Sequence, residues 1–206
     1  MRILNLGCCG GLLLLLLGGC SEPTKTEKTK VPEKAPEPLT GRQAFQRIFP
    51  QARAWAPDAQ PVEVRSILLS QVKPEKGRSG AWEAMFVSAS KGKSRTYTYS
   101  AVEAEGNLHE GVFAGPEESY SGPRGPAFPF PIAALKIDSD QAYDIAAEKS
   151  RDYIQKHPDM PISYLLEQTN RFPSLTWRVI WGESVSASDY SVFVDATLGR
   201  YLAKAH

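Results

Sequence analysis

The chain has no cysteine after Cys20, since its three cysteines all lie within the first 20 residues. The rest of the chain can therefore form no disulfide and no thiolate metal site, and it offers no thiol nucleophile. It has only three histidines (His109, His157 and His206), and no two of them have the spacing of a metal-binding pair. A glycine-rich phosphate loop and a Gly-x-Ser-x-Gly elbow are also missing. The sequence thus indicates no catalytic residue, metal site or cofactor, and we expect a protein that is not an enzyme.

The chain also lacks a strong net charge, with 24 basic and 23 acidic residues. Residues 1–19 contain one of the basic residues and none of the acidic ones, so the remainder is formally neutral. A neutral chain lacks the basic surface that nucleic acids require. We therefore expect no nucleic-acid partner.

What the sequence does have is an apolar leader. Arg2 is followed by an apolar stretch from Ile3 to Leu17, which ends in six consecutive leucines, and then by two glycines and Cys20. This layout is typical of a secretory signal peptide. The Leu-Gly-Gly-Cys sequence at residues 17–20 resembles the bacterial lipobox, in which the cysteine receives lipid.

The lipobox resemblance implies cleavage between Gly19 and Cys20, lipid attachment at Cys20, and anchoring in the bacterial cell envelope. Ser21 in the second position of the mature chain favours the outer membrane. The protein could face the periplasm or the cell surface. Two alternatives remain: a single-pass anchor and a signal peptide that is removed without lipidation. The apolar stretch is shorter than the roughly 20 residues that a membrane span needs.

Residues 20–38 form the expected lipidated cysteine and its tether. The segment from Ser21 to Pro38 holds four Lys, four Glu and four Pro, with Val31 as its one apolar residue larger than alanine. Such a composition buries too little apolar surface to offset the entropy lost on ordering. We therefore predict a flexible spacer.

Residues 39–114 read as a helix followed by strands. Thr40 and Gln43 form a capping-box pair, and apolar residues recur at helical spacing at Ala44, Phe45, Ile48, Phe49 and Ala52. Pro50 predicts a kink or a break into two helices. Strand-like runs follow at 62–72, 81–89, 95–102 and 108–114. Trp82 alternates with apolar neighbours, as Trp177 and Trp181 do later in the chain, which favours a place in the core over a ligand platform.

Residues 115–137 are rich in proline and glycine and form the predicted connector. Its Phe-Pro-Phe-Pro run cannot be a central strand, because proline gives no ladder donor. We expect Phe128 and Phe130 to hold the connector against the core. A proline-aromatic recognition peptide is the alternative.

Residues 138–206 repeat the order of residues 39–114. Asp138 or Ser139 is predicted to cap a helix that runs to about His157, and Trp177 stands where Trp82 stands in the first half. Strand-like runs follow at 162–168, 176–181 and 190–195, with a closing hairpin at 201–202. We predict an α+β fold of two α-β-β-β(β) repeats, each an antiparallel sheet covered by one helix, because a lone amphipathic sheet cannot hide its apolar side.

The sequence Val-Asp-Ala-Thr-Leu-Gly at residues 194–199 resembles the end of a PepSY domain. Those modules close on a strand ending in Val-Asp-Ala, a turn with glycine and a short return strand. The resemblance covers about residues 138–202, whereas residues 39–114 match only in the order of elements. The residues themselves need no ligand, since Asp195 can accept N–H bonds at the start of a turn and Gly199 can adopt the left-handed conformation.

The PepSY resemblance implies an exported binding or regulatory module. We expect a lipoprotein with tandem PepSY-like domains that binds an envelope protein or peptide, with inhibition of a peptidase as a narrower form of this function. The residues that bind the ligand are not identified. One alternative is a purely structural envelope component. Another is an enzyme with an unrecognised carboxylate site, for which a deep pocket holding two perturbed acidic residues would be the evidence. The carboxylates of Glu117, Glu118, Asp138 and Asp140 are expected at turns and caps instead.

Overall fold

A computed structural model describes residues 36–123 and 125–205. The predicted signal peptide, Gly19, Cys20 and most of the tether lie outside the described residues. The elements, in chain order, are β1 (Leu39–Thr40), α1 (Gly41–Trp55), β2 (Gln60–Ile67), β3 (Arg78–Ser79), β4 (Ala81–Ser88), β5 (Lys93–Ser100), β6 (Gly111–Ser119), β7 (Ala127–Phe128), a 3-10 helix (Ile132–Ala134), α2 (Ser139–Glu148), α3 (Arg151–Lys156), β8 (Ile162–Thr169), β9 (Thr176–Gly182), β10 (Ser188–Asp195) and β11 (Tyr201–Ala205).

Helix α1 begins with the predicted capping box. The backbone N–H of Gln43 donates to the Thr40 hydroxyl oxygen at 3.3 Å, and the N–H of Thr40 donates to the Gln43 side chain at 3.1 Å. A kink or a break into two helices was expected at Pro50, and the break is wrong, because one helix continues through Pro50 to Trp55. Its apolar stripe is fully buried at Ala44, Phe45, Ile48 and Ala52.

The second helical region begins at a matching capping box, made by Asp138 and Gln141. One continuous helix to about His157 was expected, but α2 ends at Glu148 and α3 begins at Arg151. At the break, the buried Ser150 hydroxyl lies 3.0 Å from the Tyr190 hydroxyl. A hydroxyl that faces the core needs a hydrogen-bond partner. The break therefore gives Ser150 an interior polar contact.

The long strands form one antiparallel sheet rather than the two separate sheets predicted. The order is β11-β10-β9-β8-β2-β4-β5-β6, with β7 also paired to β8, which makes nine strands. Strands β1 and β3 form a small second sheet. The halves merge because β2 pairs with β8, in the register Glu63–Glu167, Val64–Leu166 and Arg65–Leu165. The fold is thus α+β with three helices in the described part of the chain.

The helices pack on one face of this sheet. Trp82 on β4 and Trp177 and Trp181 on β9 lie on that face and are almost completely buried, as predicted. The Trp82 and Trp177 rings meet edge to face, with centroids 6.3 Å apart. Their indole N–H groups donate to Leu39 O and Ile137 O, both at 2.9 Å. Each tryptophan therefore fixes the residue that precedes a helix cap.

Strands β2 and β6 end at residues that differ from the predicted ones by five positions each. Strand β2 ends at Ile67 instead of residue 72, because the next apolar residues, Leu69 and Val72, leave the sheet and pack in a small separate cluster. Strand β6 runs to Ser119, so the connector begins later than residue 115. Strand β6 contains Pro116, which is tolerated because β6 lies at the edge of the sheet.

The structure of the connector and of the last turn agrees well with the prediction from the sequence. Phe130 is buried in the core, while Phe128 lies in the short edge strand β7. In the β10–β11 turn, one carboxylate oxygen of Asp195 accepts the N–H groups of Thr197 and Leu198, both at 2.8 Å. Gly199 has φ = 67°. The hydrogen bonds predicted for Asp195 and the left-handed conformation predicted for Gly199 are confirmed.

Candidate functional site

The sheet face opposite the helices holds a cleft near its centre, which we call the central cleft. It is an open cavity of about 430 Å³ between the β2–β8 pair and the β9–β10 hairpin. Leu165 and Ile180 form a buried apolar floor, and Val185 stands at the hairpin rim. The charged residues along it are Glu63, Arg65, Glu167 and Arg178.

The cleft exists because side chains alternate across a strand. Val64 and Leu166 point toward the helices and are fully buried, so their neighbours Glu63 and Glu167 point the other way. Glu63 and Glu167 are also register partners across β2 and β8. Directly opposed residues in an antiparallel pair have neighbouring side chains, and like charges there are destabilising.

Both carboxyls of this pair have raised pKa values. Burial raises the pKa of Glu63 above its ordinary value, and the Glu83 carboxylate raises it further, while Arg65 opposes the shift. Burial also raises the pKa of Glu167, and the charge of Glu63 adds to the effect, while Arg178 opposes it. Raised pKa values mean that the ionised carboxylates are poorly solvated and incompletely neutralised.

The two arginines of the cleft have other partners. Arg65 pairs with Glu83 at 2.5 Å, while its Nε lies 3.8 Å from Glu63. The Nε of Arg178 donates to the Ser191 hydroxyl at 3.0 Å, and its guanidinium lies 5.3 Å from the centre of the Phe193 ring. Among the described residues, none donates a hydrogen bond to Glu167 or forms an ion pair with it.

A second cavity of about 250 Å³ adjoins the central cleft. Glu63, Glu167 and Pro126 border both cavities, so the carboxylate pair lies where they meet. Val62 and Met85 give the second cavity an apolar wall on β2 and β4. Together the two cavities form a groove from the β9–β10 hairpin to the β5–β6 edge, with the glutamates at its middle.

The residues singled out in the sequence lie elsewhere. His109 Nδ1 is 2.7 Å from Glu103 on an exposed turn, and His157 is the C-cap residue that follows α3. Glu117 accepts the Trp55 indole N–H at 2.7 Å. Among residues 36–123 and 125–205, no three potential metal-binding side chains of His, Cys, Asp or Glu come together.

The remaining three carboxylates expected at turns and caps have different positions. Asp138 is the N-cap of α2, as predicted, and Asp140 lies in the first turn of the same helix. Glu118 lies in strand β6 beside the second cavity instead of in a turn. None of the helices that the structure describes is long and apolar enough to span a bilayer.

Sequence reasoning missed Glu63 and Glu167. Each glutamate stands in a strand beside valine or leucine, and alternation alone could have placed it on the face away from the core. What the sequence does not contain is the pairing of β2 with β8, two strands about a hundred residues apart. Without that register, the sequence does not show that Glu63 and Glu167 lie opposite each other.

No family model matches this chain, and no curated protein and no solved structure shows a significant match to it.

Proposed function

We propose that this protein is a lipid-anchored component of a bacterial envelope that binds a peptide or protein partner on the helix-free face of its sheet. The observation that carries the proposal is the groove on that face. It combines an apolar floor with charged groups that are partly buried, and it is large enough for several side chains. Concave sites with a few convergent polar groups are where proteins bind ligands.

The internal correspondence of the two halves supports the tandem PepSY-like interpretation. In both halves a capped helix with Gln at its third position is followed by a strand whose tryptophan donates to the residue before the cap. The long strands run outward in chain order on each side of the β2–β8 pair. We infer a duplicated helix-and-sheet unit whose first long strands pair, which creates the groove at their junction.

The anchor part of the proposal rests on the leader sequence. We infer lipidation at Cys20 and a tether up to residue 38 that holds the folded body away from the membrane, with the outer membrane favoured. Growth with a labelled fatty acid tests this part. Label is expected in the wild-type chain and not in Cys20→Ala, and an unlabelled wild-type chain would exclude the lipid anchor.

The binding part is tested by affinity capture from detergent-solubilised envelope with the full-length chain. Met85→Arg places a long cationic side chain in the second cavity, next to Glu63. Leu198→Arg is the matched control, since Leu198 is 58% exposed in the β10–β11 turn outside the groove. We expect one partner with wild type and Leu198→Arg but not with Met85→Arg. A partner retained equally by all three would refute binding at the groove.

Inhibition of an envelope peptidase is the narrower form of this function. If the captured partner is a peptidase, adding the purified chain should lower its activity in proportion to complex formed. If the activity of the peptidase is unchanged when it is saturated with the chain, the chain binds the peptidase but does not inhibit it.

A second candidate function is an enzyme that uses the Glu63–Glu167 pair. The specific observation is that two adjacent carboxyls with raised pKa values line one cleft, an arrangement that suits general acid–base chemistry. The test is a panel of glycoside, ester and peptide substrates with wild type, Glu63→Gln and Glu167→Gln. Turnover lost in both variants would favour the enzyme, and no turnover by wild type would exclude it for those substrate classes.

A further inference from the structure

Among the described residues, Glu167 has no ion pair, and Glu63 has only a long one, with the Nε of Arg65 at 3.8 Å. The Arg65 guanidinium lies nearest to Glu83, and the Arg178 guanidinium is held between Ser191 and the Phe193 ring. Two opposed carboxylates whose nearest cation is paired more closely with Glu83 remain a like-charge pair. A positive group inserted from outside would be attracted to both carboxylates and would reduce the repulsion between them.

The groove gives that positive group a defined setting. It crosses β9, β8, β2, β4 and β5, and four inter-strand spacings amount to at least about 19 Å. An extended peptide covers that distance with about six residues. On one side of the glutamates lie the apolar surfaces of Leu165 and Ile180, and on the other side lies Met85.

We propose that the groove binds an extended peptide segment with a Lys or Arg side chain between Glu63 and Glu167 and an apolar side chain on each side of it. This inference rests on the proposed binding function and adds the chemistry of the partner. The charge of the pair selects the central basic residue, because a neutral side chain there leaves Glu167 without an ion pair and Glu63 with only its 3.8 Å contact to Arg65. The two cavities, of about 430 and 250 Å³, receive the flanking apolar groups.

The test uses the immobilised full-length chain in detergent and two libraries of blocked six-residue peptides. Both libraries have the same randomised flanking positions, and they differ at one central position, which is Lys in one and norleucine in the other. Norleucine has the same four-carbon chain as lysine and lacks only the terminal ammonium group. We expect at least tenfold greater retention of the Lys library, with apolar residues enriched next to the lysine.

The matched variants assign that preference to the glutamate pair. Glu63→Gln combined with Glu167→Gln keeps the shape of the groove and should remove the preference for lysine. Glu148→Gln, on an exposed part of α2, should leave it unchanged. Equal retention of the two libraries, retention of neither, or a preference that survives in the double Gln variant would overturn the inference.

Failure here is distinguishable from failure of the proposed function. If Met85→Arg abolishes capture of the partner while the double Gln variant captures it as well as wild type, the binding function stands and the basic-residue inference falls. If wild type captures no partner, the proposed function itself falls. Thermal unfolding of the double Gln variant checks that it folds, which is expected because Gln preserves the side-chain shape and removes the repulsion.

Discussion

Replacing Asp138 with alanine should destabilise both halves of the molecule, because one carboxylate serves two helices. Its Oδ1 accepts the N–H of Ser139 at 2.7 Å, in its own helix α2, and the N–H of Arg42 at 2.9 Å, in helix α1. Its Oδ2 accepts the Thr40 hydroxyl at 2.6 Å. Asp138 is 5% exposed, so water replaces these bonds poorly.

The magnitude follows from these contacts. Loss of an N-cap side chain costs about 1 kcal/mol, and buried donors left without an acceptor cost about 1–3 kcal/mol. We therefore expect Asp138→Ala to lower the free energy of unfolding by about 3 kcal/mol. Asp138→Asn keeps one acceptor oxygen and should lose about 1 kcal/mol by the same reasoning.

Urea unfolding at neutral pH measures the effect as a shift of the midpoint at constant slope. Asp144→Ala is the matched control, because Asp144 is exposed on the same helix, and it should change stability by less than about 0.5 kcal/mol. If Asp138→Ala is no less stable than Asp144→Ala, the carboxylate does not join the two helices and this reasoning is refuted.

Three further changes have defined outcomes. Burial raises the pKa of the Glu167 carboxyl in the folded chain, so the free energy of unfolding falls as the pH rises from about 4.5 through that raised pKa. Glu167→Gln should therefore raise the Tm at neutral pH but not well below pH 4.5. A lower Tm of the variant at neutral pH would contradict this. Hydrogen bonds from Ser88 and Ser90 lower the pKa of Asp58 to about 2. Ser88→Ala should raise that pKa in an NMR titration, and an unchanged value would refute the assignment. Gly77→Ala should lower the urea midpoint, because Gly77 has φ = 72° and its new methyl group would meet the Asp140 backbone; an unchanged midpoint would show that the loop can adapt.

Local features were predictable because short-range rules determine them. The capping box at Thr40, the cap at Asp138 and the turn after Asp195 each depend on residues within three or four positions of one another. The burial of Trp82 and Trp177 follows from alternation within a single strand. These features needed no knowledge of the distant chain.

The errors arose where distant contacts decide the structure. Leu69 and Val72 extend the apolar pattern of β2, but they pack on Leu108 and Ala81 instead of continuing the strand. Ser150 looked helical, yet its contact with Tyr190 coincides with the break between α2 and α3.

The groove depended on a distant contact as well. It required the β2–β8 register, which joins the two halves and which no local pattern encodes. The glutamate pair could therefore not be predicted from the sequence, although each glutamate lies in a strand that was predicted.

The most direct measurement is photo-crosslinking in intact cells from one position in the groove and one outside it. A benzophenone amino acid at Val185, which is 42% exposed at the rim of the central cleft, is compared with the same group at Leu198, which is 58% exposed in the β10–β11 turn. Binding on the helix-free face predicts a covalent adduct with a second polypeptide from position 185 and none from position 198. An adduct from position 198 alone, or equal adducts from both, would contradict the account.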